Sequence, residues 1–227
     1  MAKKEEIQGA YQLTGGHTSF YDHMMTCSTF LGKIICHFVW NMDREKNRKY
    51  ICQALSGIPK NFSGKILEIP VGTGVLTMPK YKKLPDAEIT CVDYSSDMMK
   101  SAQEKAERMG IRNIHFLQGD VGNLPFADDS FDIVLSMNGF HVFPDKNAAY
   151  KEVFRVLKSG GVFCGCFYTK GGCKRTDWFA RHFYVPRGFF TPPFETESSL
   201  RRRLLKTCKK VLVTQVESVA CFRCIKK

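Results

Sequence analysis

The stretch Ile66-Leu-Glu-Ile-Pro-Val-Gly-Thr-Gly74 constrains this chain more than any other. Lys65 to Ile69 is a short apolar run of the kind that forms a fully buried parallel strand. It runs into a turn where Gly72 and Gly74 bring bare backbone to the surface and permit positive φ. Val75 to Lys83 has helical composition, with Pro79 set to shorten or bend that helix. Strand, glycine turn and helix make the first crossover of a doubly wound α/β sheet, whose ligands sit outside the carboxyl ends of the strands.

The next discrimination is between cofactors. A dinucleotide turn needs a third glycine three residues after the second, and Thr77 stands there instead. A pyrophosphate favours backbone N–H groups at a helix start with no acid beside them. Glu68, at the strand end, would repel phosphate and suits a ligand that carries an ammonium and a sulfonium group. In these residues the chain resembles the class I S-adenosylmethionine (SAM) methyltransferases, whose first motif reads acid, any residue, Gly, any residue, Gly, any residue, Gly. Pro70 occupies the first glycine position, so any contact through that N–H is lost, while Gly72 and Gly74 keep the other two. The resemblance implies that Glu68, Pro70, Gly72, Thr73 and Gly74 belong to a site for SAM or its product S-adenosylhomocysteine.

Further paired units follow. Glu88 to Val92 is a β-rich run ending in Asp93, about 20 residues beyond Gly72, the interval at which a nucleotide fold sets a carboxylate on the ribose hydroxyls. Ser95 or Ser96 caps a helix that reaches Met109 and stops at Gly110. Tyr94 and Met98 are placed to press on an adenine, or equally to pack strand against helix. Asn113 to Leu117 makes a third strand, after which Asp120 and the Val121 N–H offer an acceptor and a donor to the adenine edge. Phe131 to Leu135 is the fourth strand and opens into Ser136-Met-Asn-Gly-Phe-His141. Lys146 to Leu157 has the pattern of an amphipathic helix. A hairpin-like connection, Lys158 to Gly161, leads to a fifth strand at Val162 to Tyr168. Thr196 starts a helix to about Thr207, and Val211 to Phe222 supplies the last two strands.

The resemblance extends along these blocks. Val153-Phe-Arg-Val-Leu-Lys-Ser-Gly-Gly161 matches the family's helix-to-strand signature, with Ser159 where proline is usual. Phe20-Tyr-Asp-His-Met-Met25 is similar to the Tyr-Asp segment near the start of the ubiquinone and menaquinone biosynthesis methyltransferases. It implies a Rossmann-like, seven-stranded, mainly parallel sheet with helices on both faces and an antiparallel last strand. Residues 1–60 then form a helical prefix or lid within the same domain, and 61–227 the SAM-binding body. That body carries an irregular, aromatic-rich insert at 171–195. The implied activity is transfer of the SAM methyl group to a small-molecule acceptor by in-line displacement. Met137 joins the cofactor residues, and His141 is the first candidate for a base facing the acceptor, followed by His23, Asp22 and Tyr21.

Composition narrows the partners. The formal net charge is +12, which supports an anionic partner or an ordinary basic surface. The alternative function is therefore a basic SAM-binding protein that binds or methylates RNA, with aromatics and cations interleaved between Lys170 and Arg187. Against it, the chain lacks the Asn-Pro-Pro-Tyr type of motif of amino-methylating nucleic-acid enzymes. Ten cysteines are scattered through apolar contexts and are expected as free thiols in a cytoplasmic chain, with no metal site. Cys164 and Cys166 should share one face of a strand, and Cys221 and Cys224 have zinc-like spacing without a turn. No apolar run is long enough to span a bilayer, and no secretory signal is visible.

Overall fold

The computed structural model describes residues 22, 23 and 25–227; residues 1–20, Tyr21 and Met24 of the expected prefix or lid lie outside them. The strands β1 (Lys65–Glu68), β2 (Glu88–Asp93), β3 (Ile114–Gln118), β4 (Phe131–Met137), β5 (Leu157–Tyr168), β6 (Cys208–Val216) and β7 (Val219–Lys226) form one sheet. Its order is β3-β2-β1-β4-β5-β7-β6. The pairs β1–β2, β1–β4, β2–β3 and β4–β5 are parallel, and β7 runs antiparallel to both β5 and β6. This is the predicted Rossmann-like sheet, with the last strand reversed.

Seven α-helices flank the sheet among the described residues: α1 (Phe30–Trp40), α2 (Arg44–Ala54), α3 (Met78–Tyr81), α4 (Ser96–Met109), α5 (Lys146–Val156), α6 (Lys174–Phe179) and α7 (Glu197–Thr207). Successive strand residues point to opposite faces, and β1 shows how both become covered. Ile66 packs with Tyr50, Ala54, Tyr81, Ala102 and Ala106, from α2, α3 and α4. Leu67 packs with Tyr150, Val153, Leu200 and Leu204, from α5 and α7. The helix starts are written locally. The side chains of Asp43, Ser95, Asp145 and Thr196 each accept a first-turn N–H, and Gly110 closes α4 in the left-handed conformation.

Several expected boundaries shift. Pro79 leaves α3 only four residues, shorter than the run from Val75 to Lys83. Asn41 ends α1, at φ +53°, and Asp43 caps α2. Lys158 to Gly161 is no hairpin. Leu157 already pairs with Phe131, and the extra residues bulge within β5 before Val162 pairs with Ile133. The insert is not irregular throughout, because α6 runs on into a π-helical turn at Ala180–Tyr184. The strands β6 and β7 both outrun Val211 to Phe222.

The prefix is joined to the body. Lys46 pairs with Glu217 at 2.6 Å, the Thr214 hydroxyl donates to Gln53 Oε1 at 3.1 Å, and the Cys221 thiol donates to the Tyr50 carbonyl at 3.4 Å. All ten cysteines are free; Cys52 is exposed, Cys173 half-buried and the other eight buried. Cys164 and Cys166 share a face, whereas Cys221 and Cys224 fall in opposite clusters because β7 is extended through them. Among the described residues no group of three or more His, Cys, Asp or Glu side chains gathers as for a metal ion, and no helix is long and apolar enough to cross a membrane.

Candidate active site

A cleft of about 1140 Å³, partly open to solvent, lies at the carboxyl ends of β1, β2, β3 and β4. Here the chain order of the sheet reverses across β1, so the loops after neighbouring strands diverge and leave a crevice. Every residue expected at a cofactor lines it: Glu68, Pro70, Gly72, Thr73, Gly74, Asp93, Tyr94, Met98, Asp120, Val121 and Met137.

The glycine turn is shaped by its neighbours. The Ile69–Pro70 peptide is cis, and the flanking N–H groups stay in the sheet, with Ile69 donating to the Leu135 carbonyl and Val71 to that of Val92. The proline that replaces glycine therefore sits where no ladder bond is lost. Gly72 (φ +56°) and Gly74 (φ +68°) both need the left-handed region. A Cβ on Gly74 would press on Met78, while one on Gly72 would meet only open space. Gly139, in the turn after β4, is the other close approach; a Cβ there would collide with the Pro70 ring and Phe143.

Two acids sit on adjacent strands at the cleft. Asp93 Oδ2 accepts from the Gly72 N–H at 2.7 Å, and Oδ1 from the Ser95 N–H at 2.9 Å. Burial raises its pKa to about 6, against the pull of those N–H groups. Glu68 is completely buried. Its Oε2 accepts from the Tyr81 hydroxyl at 2.8 Å and lies 3.7 Å from the Cys91 thiol, whereas Oε1 has no hydrogen-bond partner. Burial raises its pKa to about 8, with the Tyr81, Thr77 and Cys91 side chains pulling the other way. Asp120 Oδ1 accepts from the Gly122 N–H at 3.0 Å and shapes the loop after β3.

Residues 66–161 match the family model of a methyltransferase domain. Residues 66–161 form a methyltransferase domain. Among its relatives are a demethylmenaquinone methyltransferase of Staphylococcus haemolyticus, 33% identical over 71% of this chain and 60% of that protein, and one of Thermus thermophilus, 36% identical over 52% of each. The matched stretch thus spans between half and three-fifths of the length of these relatives. A SAM-dependent methyltransferase of Thermotoga maritima, described as a possible histamine N-methyltransferase, shares the fold, with a TM-score of 0.62, 20% identity, and coverage of 90% of this chain and 99% of that one.

Of the expected bases, His141, His23 and Asp22 do not line the cleft, and Tyr21 lies outside the described residues. His141 is buried in an aromatic cluster beside it, with its ring centroid 4.3 Å from that of Phe190. Its Nδ1 accepts from the Tyr168 N–H at 3.2 Å, and its carbonyl accepts from Thr191 at 2.9 Å. Burial, and then Lys146, lower its pKa to about 3, so the ring is neutral and joins β5 to the insert rather than facing an acceptor. His23 is exposed and bonded to the Ser28 hydroxyl at 2.8 Å. Asp22 turns out to be a strap. It accepts from the Thr73 hydroxyl at 2.5 Å and pairs with Lys105 of α4 at 2.7 Å, which ties the prefix to the glycine turn. Among the described residues, Met25 is the prefix residue that lines the cleft, and nothing from 171–195 does. Not foreseen were Met25, Asn138, Val142, Phe143 and Pro144, which also line the cleft. Asn138-Gly139 just past a strand was a visible turn signal, and Asn138 indeed stands at φ +57°.

Proposed function

We propose that this domain transfers the methyl group of SAM to a small aromatic acceptor of the quinol type. The observation that carries the cofactor is the buried, unpartnered Oε1 of Glu68 at the cleft, which has the chemistry to accept from the ammonium group of SAM. Asp93 supports the same assignment. Each of its oxygens accepts one backbone N–H, which leaves a lone pair on each for the two ribose hydroxyls. Tyr94 and Met98 would flank the adenine, with Asp120 and the Val121 N–H at its edge. SAM supplies a methyl group on a sulfonium that leaves as a neutral thioether, so catalysis needs little beyond in-line alignment and exclusion of water. Met25, Val142, Phe143 and Pro144 offer the apolar wall that a flat ring would require. The acceptor class follows the demethylmenaquinone methyltransferases to which the chain is similar.

Calorimetric titration with S-adenosylhomocysteine tests the cofactor assignment. A micromolar Kd is expected, weakened by one to two decades in Asp93→Ala, or about 1.5–3 kcal/mol for charged hydrogen bonds lost. Unchanged affinity in that variant would remove Asp93 from the site. Transfer of labelled methyl to a demethylated naphthoquinol, with none to bulk RNA, is the expected outcome for the acceptor.

A further inference from the structure

We propose that the α1 and α6 face of this protein docks on anionic lipid membranes. Phe30, Ile34 and Phe38 recur every fourth residue and form one stripe along α1. All three are exposed, Phe30 by 80% and Phe38 by 60%. A helix packed on its own protein turns such a stripe inward. On α1 the inward face is instead Cys36, with Trp40 in the aromatic cluster, so the stripe is an additional apolar surface.

A second exposed group adjoins it. The Arg175 guanidinium donates to the His37 carbonyl at 2.7 Å and to Asn41 Oδ1 at 3.0 Å, and the Thr176 hydroxyl to the Val39 carbonyl at 2.8 Å. These bonds lay the start of α6 against the end of α1. From there α6 and its π turn expose Trp178, by 56%, and Phe183. The charge of the two segments is nearly all positive. Lys33, Lys174, Arg175, Arg181 and Arg187 are exposed, and Arg187 lies over the Phe183 ring at 3.9 Å. Between Phe30 and Trp40 there is no carboxylate, and Asp177 is held by the Tyr168 hydroxyl and the Gly171 N–H.

Exposed Phe, Ile and Trp set among Lys and Arg are what a protein uses to lie in a membrane interface, the apolar groups entering the acyl boundary and the cations pairing with anionic headgroups. A second copy of this chain is a poorer occupant, because a two-fold contact would set five cations against five. Single-stranded RNA needs ring faces along a groove. Here the stripe is a helix ridge containing Ile34, and Trp178 already stacks on His182 at 4.8 Å. The proposal does not depend on the acceptor's identity.

Sedimentation of the full chain with phosphatidylcholine vesicles, with and without phosphatidylglycerol, tests it. Binding is expected only when phosphatidylglycerol is present, and should weaken with added salt as headgroup attraction is screened. Phe30→Ser with Phe38→Ser should weaken it at least about tenfold by removing the inserting rings. Both positions are exposed, so the melting temperature should stay unchanged and separate lost docking from lost folding. Tryptophan emission should shift to the blue on vesicles, and the shift should vanish in Trp178→Phe while binding remains. Absence of binding to the anionic vesicles, or equal binding by the double variant, would overturn the proposal. So would gel filtration showing a dimer that the double variant dissociates, or RNA binding that the same substitutions abolish in a protein that ignores vesicles.

Discussion

Glu68 and Asp93 are two carboxyls that the fold holds against their preference for water, and their behaviour with pH follows from that. Each has a folded pKa above its unfolded value, from 4.5 to about 8 for Glu68 and from 3.8 to about 6 for Asp93, with burial as the cause. The folded state therefore binds more protons than the unfolded state between those limits. The stability each contributes is full below the unfolded pKa and is lost as pH rises through the folded one. Urea titration of the ligand-free protein should show an unfolding free energy that falls from pH 5 to pH 8.5, by a few kcal/mol in all. Glu68→Gln should flatten the upper part of that slope and Asp93→Asn the lower. A ligand ammonium beside Glu68 would favour its charged form, so SAM should bind with release of a proton near neutral pH. Titration in buffers of different ionisation enthalpy measures that release.

Among the elements, the prefix and the insert are held in different ways. The insert is fixed at several points: Asp177 to Tyr168, Arg175 and Thr176 to the end of α1, and Lys146 to the Thr191 carbonyl. The prefix meets the cleft through Met25 and is strapped to the glycine turn by Asp22. Hydrogen exchange with S-adenosylhomocysteine should therefore protect residues 25–29 and leave 174–190 unchanged. Asp22→Ala frees both Thr73 and Lys105, and should accelerate exchange in residues 25–29. It should weaken the ligand about three- to tenfold, the scale of one ordinary hydrogen bond, because Asp22 acts through Thr73. Thr73→Ser keeps the hydroxyl and should bind as the natural protein does. What sequence made legible follows the same division. Ser95, Gly110 and Thr196 act within a few residues of themselves, so their caps could be read directly. Asp93 was readable because the crossover length sets its place. The position of His141 depends on where an insert some 50 residues later folds back, which no local pattern carries. The bulge after Leu157 and the strap at Asp22 likewise come from partners distant in the chain.

At the scale of the whole molecule, one sheet with helices on both faces leaves every crossover pointing its strand-end loop at one rim, and the cleft is the consequence of that topology. The same two-sided burial decides the fate of the sulfur. Eight of the ten thiols are buried, from Cys27 in the prefix to Cys224 in the last strand. They are thus distributed reporters of breathing. A coloured disulfide reagent added to the native protein should consume Cys52 at once and Cys173 more slowly. The remaining eight should then appear at the frequency with which their own parts of the fold open. Mass mapping of the modified sites would turn that sequence of arrivals into a record of which regions loosen first. Eight simultaneous arrivals would mean that the molecule opens only as a whole.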